Sequence, residues 1–156
     1  MPIDGARFRQ VLGHFASGVT VVTTTHQGHN AGMTVSSFTS LSLDPPLILF
    51  CVDQRLSTHE ALLAAGKFAV NILASDQEHL SRQFASREID KFKGVAHQAG
   101  VLGVPLLDGA IAVIECQLHS TLPGGDHTIL IGEVVATQIR EGEPLLYYRG
   151  GYREIQ

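Results

Sequence analysis

The chain has 156 residues, 44% of them hydrophobic and 17% charged, with eleven basic against fifteen acidic side chains and a formal charge of −4. This is a globular composition with room for one domain (1–156) and its core; it excludes a disordered chain and lacks the positive balance of a nucleic-acid binder. No apolar run approaches the ~18 residues of a membrane span, and the opening MPIDGARFRQ has no apolar signal core, so a cytoplasmic protein with no membrane or nucleic-acid partner is expected.

Asp4 is placed to cap a first helix, in which Phe8, Val11, Leu12 and Phe15 recur at helical spacing and form one apolar stripe. Gly18 is its expected stop. Residues 19–25 are β-branched at almost every position and predict a strand. The Gln27-Gly28 turn returns the chain through a second strand over 31–37, and a third runs near 39–43 as far as Asp44-Pro45-Pro46. The run LILFCV (47–52) is continuously apolar and predicts a strand buried on both faces. Two short helices follow, each opened by a capping box. Ser57 to Glu60 starts the first, which ends at Gly66; Ser75 to Glu78 starts the second, carrying Leu80, Gln83 and Phe84. Residues 68–73 form a strand between them. The charged stretch REIDKFK (87–93) reads as a surface loop anchored by Phe92. Beyond Pro105 and the Asp108-Gly109 turn lie two long strands, 110–122 and 128–138, joined through Pro123-Gly124-Gly125-Asp126, and the Glu141–Pro144 turn leads into 145–149. At least seven strands and about three helices that do not alternate favour an antiparallel barrel with helices at its rim over a doubly wound parallel sheet.

The common catalytic signatures are missing: there is no G-x-G-x-x-G, no Walker loop, no G-x-S-x-G and no H-E-x-x-H. Cys51 and Cys116 are far apart, in no metal-like spacing, and read as small core residues. His26 and His29 flank a turn without further ligands, and Glu60, Asp90 and Glu133 form no carboxylate pair, so no metal site and no acid–base dyad is expected. Three segments are suited to a ligand. Gly32 to Ser40 is crowded with hydroxyls, which can hold a polar ring edge or a phosphate; the plainer reading is a Ser/Thr-rich half-exposed strand. Ser57-Thr58 at a helix start favours an anion, or is an ordinary cap. Gly124-Gly125-Asp126-His127 delivers an imidazole on a flexible turn that a ligand can approach, or is a hairpin with an exposed histidine.

In order and spacing, six segments together resemble the flavin reductase family, the reductase components of two-component flavin-dependent monooxygenases. They are FRQVLGHFASGVTVVTT, GMTVSSFTSLSLDPPLILFCV, STHEALLAAGKFAVNIL, SRQFASREIDKF, GGDHTILIGEV and LLYYRGGY, covering nearly the whole chain. The resemblance implies a mainly β, α+β fold: a split β-barrel of the FMN-binding type, six-stranded, antiparallel and Greek-key, with flanking helices, paired as a homodimer. It implies transfer of hydride from NADH or NADPH to FMN or FAD, with the reduced flavin passing to a separate monooxygenase. By the same resemblance Thr34, Val35, Ser36 and Ser37 border the flavin ring and ribityl chain through backbone and hydroxyl contacts. Cys51, Val52, Asp53, Ser57 and Thr58 line its tail and phosphate, and Phe84, Ala85 and Arg87 close over the same groove. His127 meets the nicotinamide nucleotide, with Tyr148, Arg149 and Tyr152 as neighbours. No side chain is required as acid, base or nucleophile, because the two cofactors carry the chemistry. Two other readings stand beside this one: a tight FMN-binding electron-transfer protein on the same fold, and a split barrel without turnover.

Overall fold

The computed structural model of the protein describes residues 2–156. It opens with α1 (Gly5–Leu12), β1 (Ser17–Gly18) and the hairpin of β2 (Thr20–His26) and β3 (His29–Val35). Then come β4 (Thr39–Leu43), β5 (Pro46–Asp53), α2 (Ser57–Ala65), β6 (Lys67–Ile72) and α3 (Glu78–Phe84). A ribbon of β7 (His97–Ala99) and β8 (Pro105–Leu107) precedes the two longest strands, β9 (Ala112–Gly124) and β10 (His127–Ile139). A last ribbon, β11 (Leu146–Tyr148) and β12 (Gly151–Arg153), completes the order.

Seven strands form one antiparallel sheet in the order β3-β2-β6-β9-β10-β5-β4. The long β9–β10 hairpin is its spine. β6 pairs with the first half of β9, β5 pairs with the first half of β10, and register shifts at Ile131/Gly132 and Val134/Ala136 bend it between. The two ends of the sheet, β3 and β4, are not paired with each other, yet β3 and the strand next to β4 feed one core: Met33 and Val35 from β3 and Ile48, Phe50 and Val52 from β5 pack with Val22, Phe68, Val70 and Leu130. The sheet is therefore strongly curled. A second cluster, Val19, Val21, Leu73, Leu80, Phe84, Val95, Leu107 and Leu145, lies beneath α3. Buried polar groups are satisfied between these layers. Asn71 Nδ2 donates to the Val21 carbonyl while its Oδ1 accepts from the Leu107 amide, both at 2.9 Å. The buried Glu115 carboxylate accepts from the amides of Val101 (3.2 Å) and Leu102 (2.9 Å), closing the turn between β7 and β8.

Several expectations need correction. α1 starts at the Asp4 cap as predicted, its carboxylate accepting from the Ala6 amide at 3.1 Å, but it ends at Gly13; Phe15 and Gly18 lie beyond it. β5 alternates: Ile48, Phe50 and Val52 are buried, whereas Leu47, Leu49 and Cys51 are half-buried. A continuous apolar run does not say how many faces are covered; here the pleat sends one face inward and leaves the other partly open. Neither capping box forms. Leu56 occupies the N-cap of α2, with Ser57 already inside the helix, and Gln77 precedes α3. Gln77 instead ties two loops, accepting from the Ala74 amide and donating to the Asp108 carbonyl, each at 2.9 Å. β1, β7, β8 and β12 are short edge pieces of two or three residues, below the length at which alternation is readable.

Candidate functional site

Where β3 ends, α3 and the β11–β12 ribbon face it across a cleft of about 240 Å³ lined by Thr34, Ser36, Ser81, Ala85, Tyr147 and Tyr152. Its walls are held by hydroxyls. Thr34 Oγ1 donates to the Ser81 carbonyl at 2.6 Å, and the Ser81 and Tyr152 hydroxyls share a 2.6 Å hydrogen bond. Tyr147 and Tyr152 meet edge to face at 5.3 Å, and the Arg82 guanidinium lies 4.9 Å from the Tyr152 ring centre. Val35 turns its side chain into the core and its carbonyl accepts from Thr20 Oγ1 at 2.7 Å. Ser37 bridges to β5, its hydroxyl accepting from the Cys51 amide (3.0 Å) and donating to the Cys51 carbonyl (3.3 Å). The hydroxyl protons of Thr34 and Ser37 thus serve the protein itself. The donors left open are the backbone amides of Ser36, Ser37 and Phe38, between β3 and β4, which donate to no protein acceptor among the described residues.

A second cleft, about 500 Å³, is lined by Gly32, Ser57, Thr58, Ser86, Arg87 and Lys91 among others. It brings the start of α2 together with two cations, Arg87 and Lys91, and one carboxylate, Glu88, so the balance is positive by one charge. Partial burial makes the Lys91 ammonium easier to deprotonate than an exposed lysine. Phe84 does not line either cleft with its ring; it is fully buried under Gly32, where a Cβ would stand 2.8 Å from Phe84 Cε1. Gly32 is thus the residue that lets α3 approach β3.

The third group lies at the open end of β5 and β10, where His127 pairs with Asp53 and Ile129 with Cys51. Val52 faces the core, so only its backbone is available there. The Arg55 guanidinium, hydrogen-bonded to Asp53 at 2.7 and 3.1 Å, holds that carboxyl well below the usual carboxylate range. His127 Nδ1 donates to the Asp126 carboxylate at 2.7 Å, which leaves Nε2 for a ligand: an acceptor on the neutral ring, a donor on the protonated one. Gln54 braces this end, its amide donating to the Asp126 carbonyl (3.1 Å) and its side chain to the His127 carbonyl (3.2 Å).

Tyr148 and Arg149 stand apart from these three groups. Tyr148 meets the His14 ring at 6.3 Å, and the Arg149 amide donates to the Gly13 carbonyl at 2.8 Å, so both lie against the end of α1. Tyr152, expected beside them at the nicotinamide, instead shares the Thr34 cleft. Ser81, Tyr147 and Lys91 were not singled out from the sequence. Ser81 was findable: Gln77, Leu80, Ser81 and Phe84 make a helical stripe, and a serine on such a stripe is buried with a partner. Lys91 sits in a charged loop that offers no periodicity.

The geometry is thus a small cleft with tyrosine walls, beginning at the open amides of Ser36 to Phe38, and a separate larger one that holds Arg87, Lys91 and Glu88. Its donor set fits a planar polar ring carrying a phosphorylated tail. Comparison with known proteins gives the same direction. A family model described as "Flavin reductase like domain" matches residues 12–156. The chain is 44% identical over 155 residues to the flavin-dependent monooxygenase reductase subunit HsaB of Rhodococcus jostii, covering 99% of this chain and 80% of that one. It is 46% identical over 151 residues to the reductase component of the 4-nitrophenol 4-monooxygenase/4-nitrocatechol 2-monooxygenase of Rhodococcus opacus, covering 97% and 81%. Among solved structures it is similar to the Streptomyces globisporus NADH:FAD oxidoreductase SgcE6 in complex with NAD and FAD fragments. That match has a TM-score of 0.94 and 41% identity, over 98% of this chain and 93% of the other. With the fold, the length and the motif order all in agreement, the chain belongs to the flavin reductase-like family.

Proposed function

We propose that the protein is an NAD(P)H:flavin oxidoreductase that supplies reduced FMN or FAD to a separate monooxygenase component. The observation that carries this reading is that Ala85 lines the cleft with aromatic walls while the residues that follow it, Ser86 and Arg87, line the cleft with Lys91 and the start of α2. Support comes from relatives of high identity that are reductase components of monooxygenases. Bound together, the two cofactors supply the redox chemistry, a hydride passing from nicotinamide to flavin. The protein's part is positional. The Ser36–Phe38 amides meet the electron-rich edge of the flavin ring and stabilise charge there, as fixed donors do. Ser57, Thr58, Arg87 and Lys91 hold the flavin phosphate. His127, oriented by Asp126, takes the nicotinamide nucleotide through Nε2.

The curled sheet is read as a split barrel whose gap Ser37 bridges to β5, and the whole chain acts as one domain. A second copy covers the exposed apolar face of α1, giving a homodimer. The cytoplasm suits two free thiols and a reduced nicotinamide donor. The deciding experiment is NADH and NADPH oxidation with and without FMN, FAD or riboflavin. Oxidation that depends on added flavin, with flavin lost on gel filtration, is the expected result. Flavin retained through gel filtration would make it a tight FMN carrier, and no oxidation with any flavin would overturn the reading.

A further inference from the structure

We propose that Gln83 is a positioning residue: it fastens the 86–93 loop, which carries Arg87 and Lys91, to α3, and so lets the protein distinguish a phosphorylated flavin from riboflavin. The inference rests on the reading of the cleft that holds Arg87 and Lys91 as the flavin-phosphate site. Gln83 lines neither of the two clefts assigned to the flavin, so its influence runs through the loop. Its side-chain amide has two N–H donors, and both are used on one short stretch of backbone. Nε2 donates to the Lys91 carbonyl at 2.7 Å and to the Lys93 carbonyl at 2.9 Å. The other end of the loop is tied to the same residue. The Gln83 carbonyl accepts from the Ser86 hydroxyl at 2.6 Å and from the Ser86 amide at 3.2 Å. One residue of α3 therefore closes the loop at both ends.

The remaining bonds of the loop are internal. The Glu88 amide donates to the Ser86 hydroxyl and the Phe92 amide to the Asp90 carboxylate, each at 3.1 Å, and the Lys93 amide donates to the Asp90 carbonyl at 3.3 Å. These shape turns of two or three residues without attaching them to the body of the protein. Phe92 does attach the loop, its ring meeting Phe84 edge to face at 5.0 Å and His97 at 5.2 Å. That contact is apolar and sets no direction for the backbone, whereas two hydrogen bonds to fixed carbonyls do. The need for a fastening is clear from exposure: residues 86–90 are all exposed, and Ile89 at the tip is entirely so. Such a segment gains conformational freedom readily when released. Lys91 is half-buried, and among the described residues its ammonium has no ion-pair partner. Holding a partly desolvated cation without a counter-charge is unfavourable, and a bound phosphate relieves it. Gln83 thus keeps the two loop cations in place before the ligand arrives, which is where preorganisation gains affinity. Riboflavin, which has no phosphate, draws nothing from that arrangement.

The test compares the full-length wild type with Gln83→Met. Methionine keeps the length and helix propensity of glutamine and removes both donors. FMN and riboflavin affinities are read by fluorescence titration. The loop is read by limited trypsin digestion, because the bonds cut after Lys91 and Lys93 are those whose carbonyls Gln83 holds. FMN affinity should fall about tenfold, as for a lost hydrogen bond, while riboflavin affinity stays within about twofold. Cleavage after Lys91 and Lys93 should become faster, since proteolysis follows the population of the open loop. An equal loss for both flavins would show that Gln83 supports the fold or the ring site, and would overturn the proposal. Unchanged FMN affinity would overturn it too, whatever trypsin does, and so would a loss of FMN affinity without faster cleavage. Failure of the underlying reading is seen in the wild type itself. Equal affinity for FMN and riboflavin there would remove the phosphate site, and binding of neither would remove the flavin reading; both overturn the role of Gln83 with it.

Discussion

Ser37, which the resemblance places at the flavin, also has a partner within the protein. Its hydroxyl exchanges two hydrogen bonds with the Cys51 backbone and so joins the end of β3 to β5. Ser37→Ala should lower unfolding stability by about 1 kcal/mol, the net value of a hydrogen bond of this kind. Urea denaturation measures it, and an unchanged midpoint would remove the latch. His127 works the other way: Asp126 holds its Nδ1, and its Nε2 has no protein partner among the described residues. His127→Ala should raise the KM for NADH and lower kcat/KM between a few-fold and about a hundredfold, at tenfold per 1.36 kcal/mol for one lost hydrogen bond. Flavin affinity should stay the same; stopped-flow reduction kinetics and a separate flavin titration check both. The two thiols differ sharply. Burial, with the neighbouring Glu115 charge, pushes Cys116 up to about 12, whereas Cys51 is half-buried. Thiolate is the reactive form, so one thiol should react with a disulfide reagent in the native protein and two in denaturant. Two reactive thiols without denaturant would contradict the packing around Cys116.

At the scale of elements, the contact of α3 with β3 decides whether the clefts exist. Phe84 packs directly over Gly32, and an added Cβ would also stand 3.2 Å from the Val22 carbonyl oxygen, which is backbone and cannot yield. Gly32→Ala should therefore push α3 outward and cost about 1–3 kcal/mol, the usual range for overpacking a filled site. Because Ser81 and Ala85 ride on α3 and its C-cap, flavin affinity should fall in the same variant, read by fluorescence titration. Stability lost with flavin affinity intact would mean the first cleft is not the ring site. The starts of α2 and α3 teach a related point. The capping-box pattern is present at both, but α2 begins one residue earlier than it places it, with Leu56 at the N-cap, and α3 begins two residues later, where tertiary bonds recruit Gln77.

For the molecule as a whole, the most telling surface is α1. Its apolar stripe points to solvent: Phe8, Val11 and Leu12 are about half exposed, at 50%, 52% and 54%, and Phe15 beyond the helix is 82% exposed. None of the helix's residues is buried. A contiguous apolar face of this kind marks an interaction surface, and a second copy of the chain is the proposed occupant. Leu12→Asp should place a charge in that contact and convert a dimer to a monomer, with light scattering at micromolar concentration as the measure. A monomeric wild type would sink the proposal. Stability that rises with protein concentration is the matching thermodynamic sign.

The period of the side chains alone determined the strands of the main sheet and the three helices, since β-branched runs, turn residues and helical stripes act within a few residues of one another. Residue type and position made Thr34, Ser36, Ser57 and Thr58 visible as polar residues at element ends, and the resemblance to the family added Arg87; all five line the two clefts. Which of their hydroxyls remain free was settled only in three dimensions: Thr34 donates to a carbonyl 47 residues away and Ser37 to one 14 away. Placement of Tyr152 beside Ser81, 71 residues apart in the chain, and separation of Arg149 from His127 are likewise properties of packing. Local pattern encodes which face a residue presents within its element. The partner on the other side of that face is chosen by the closure of distant segments, which no short window of sequence contains.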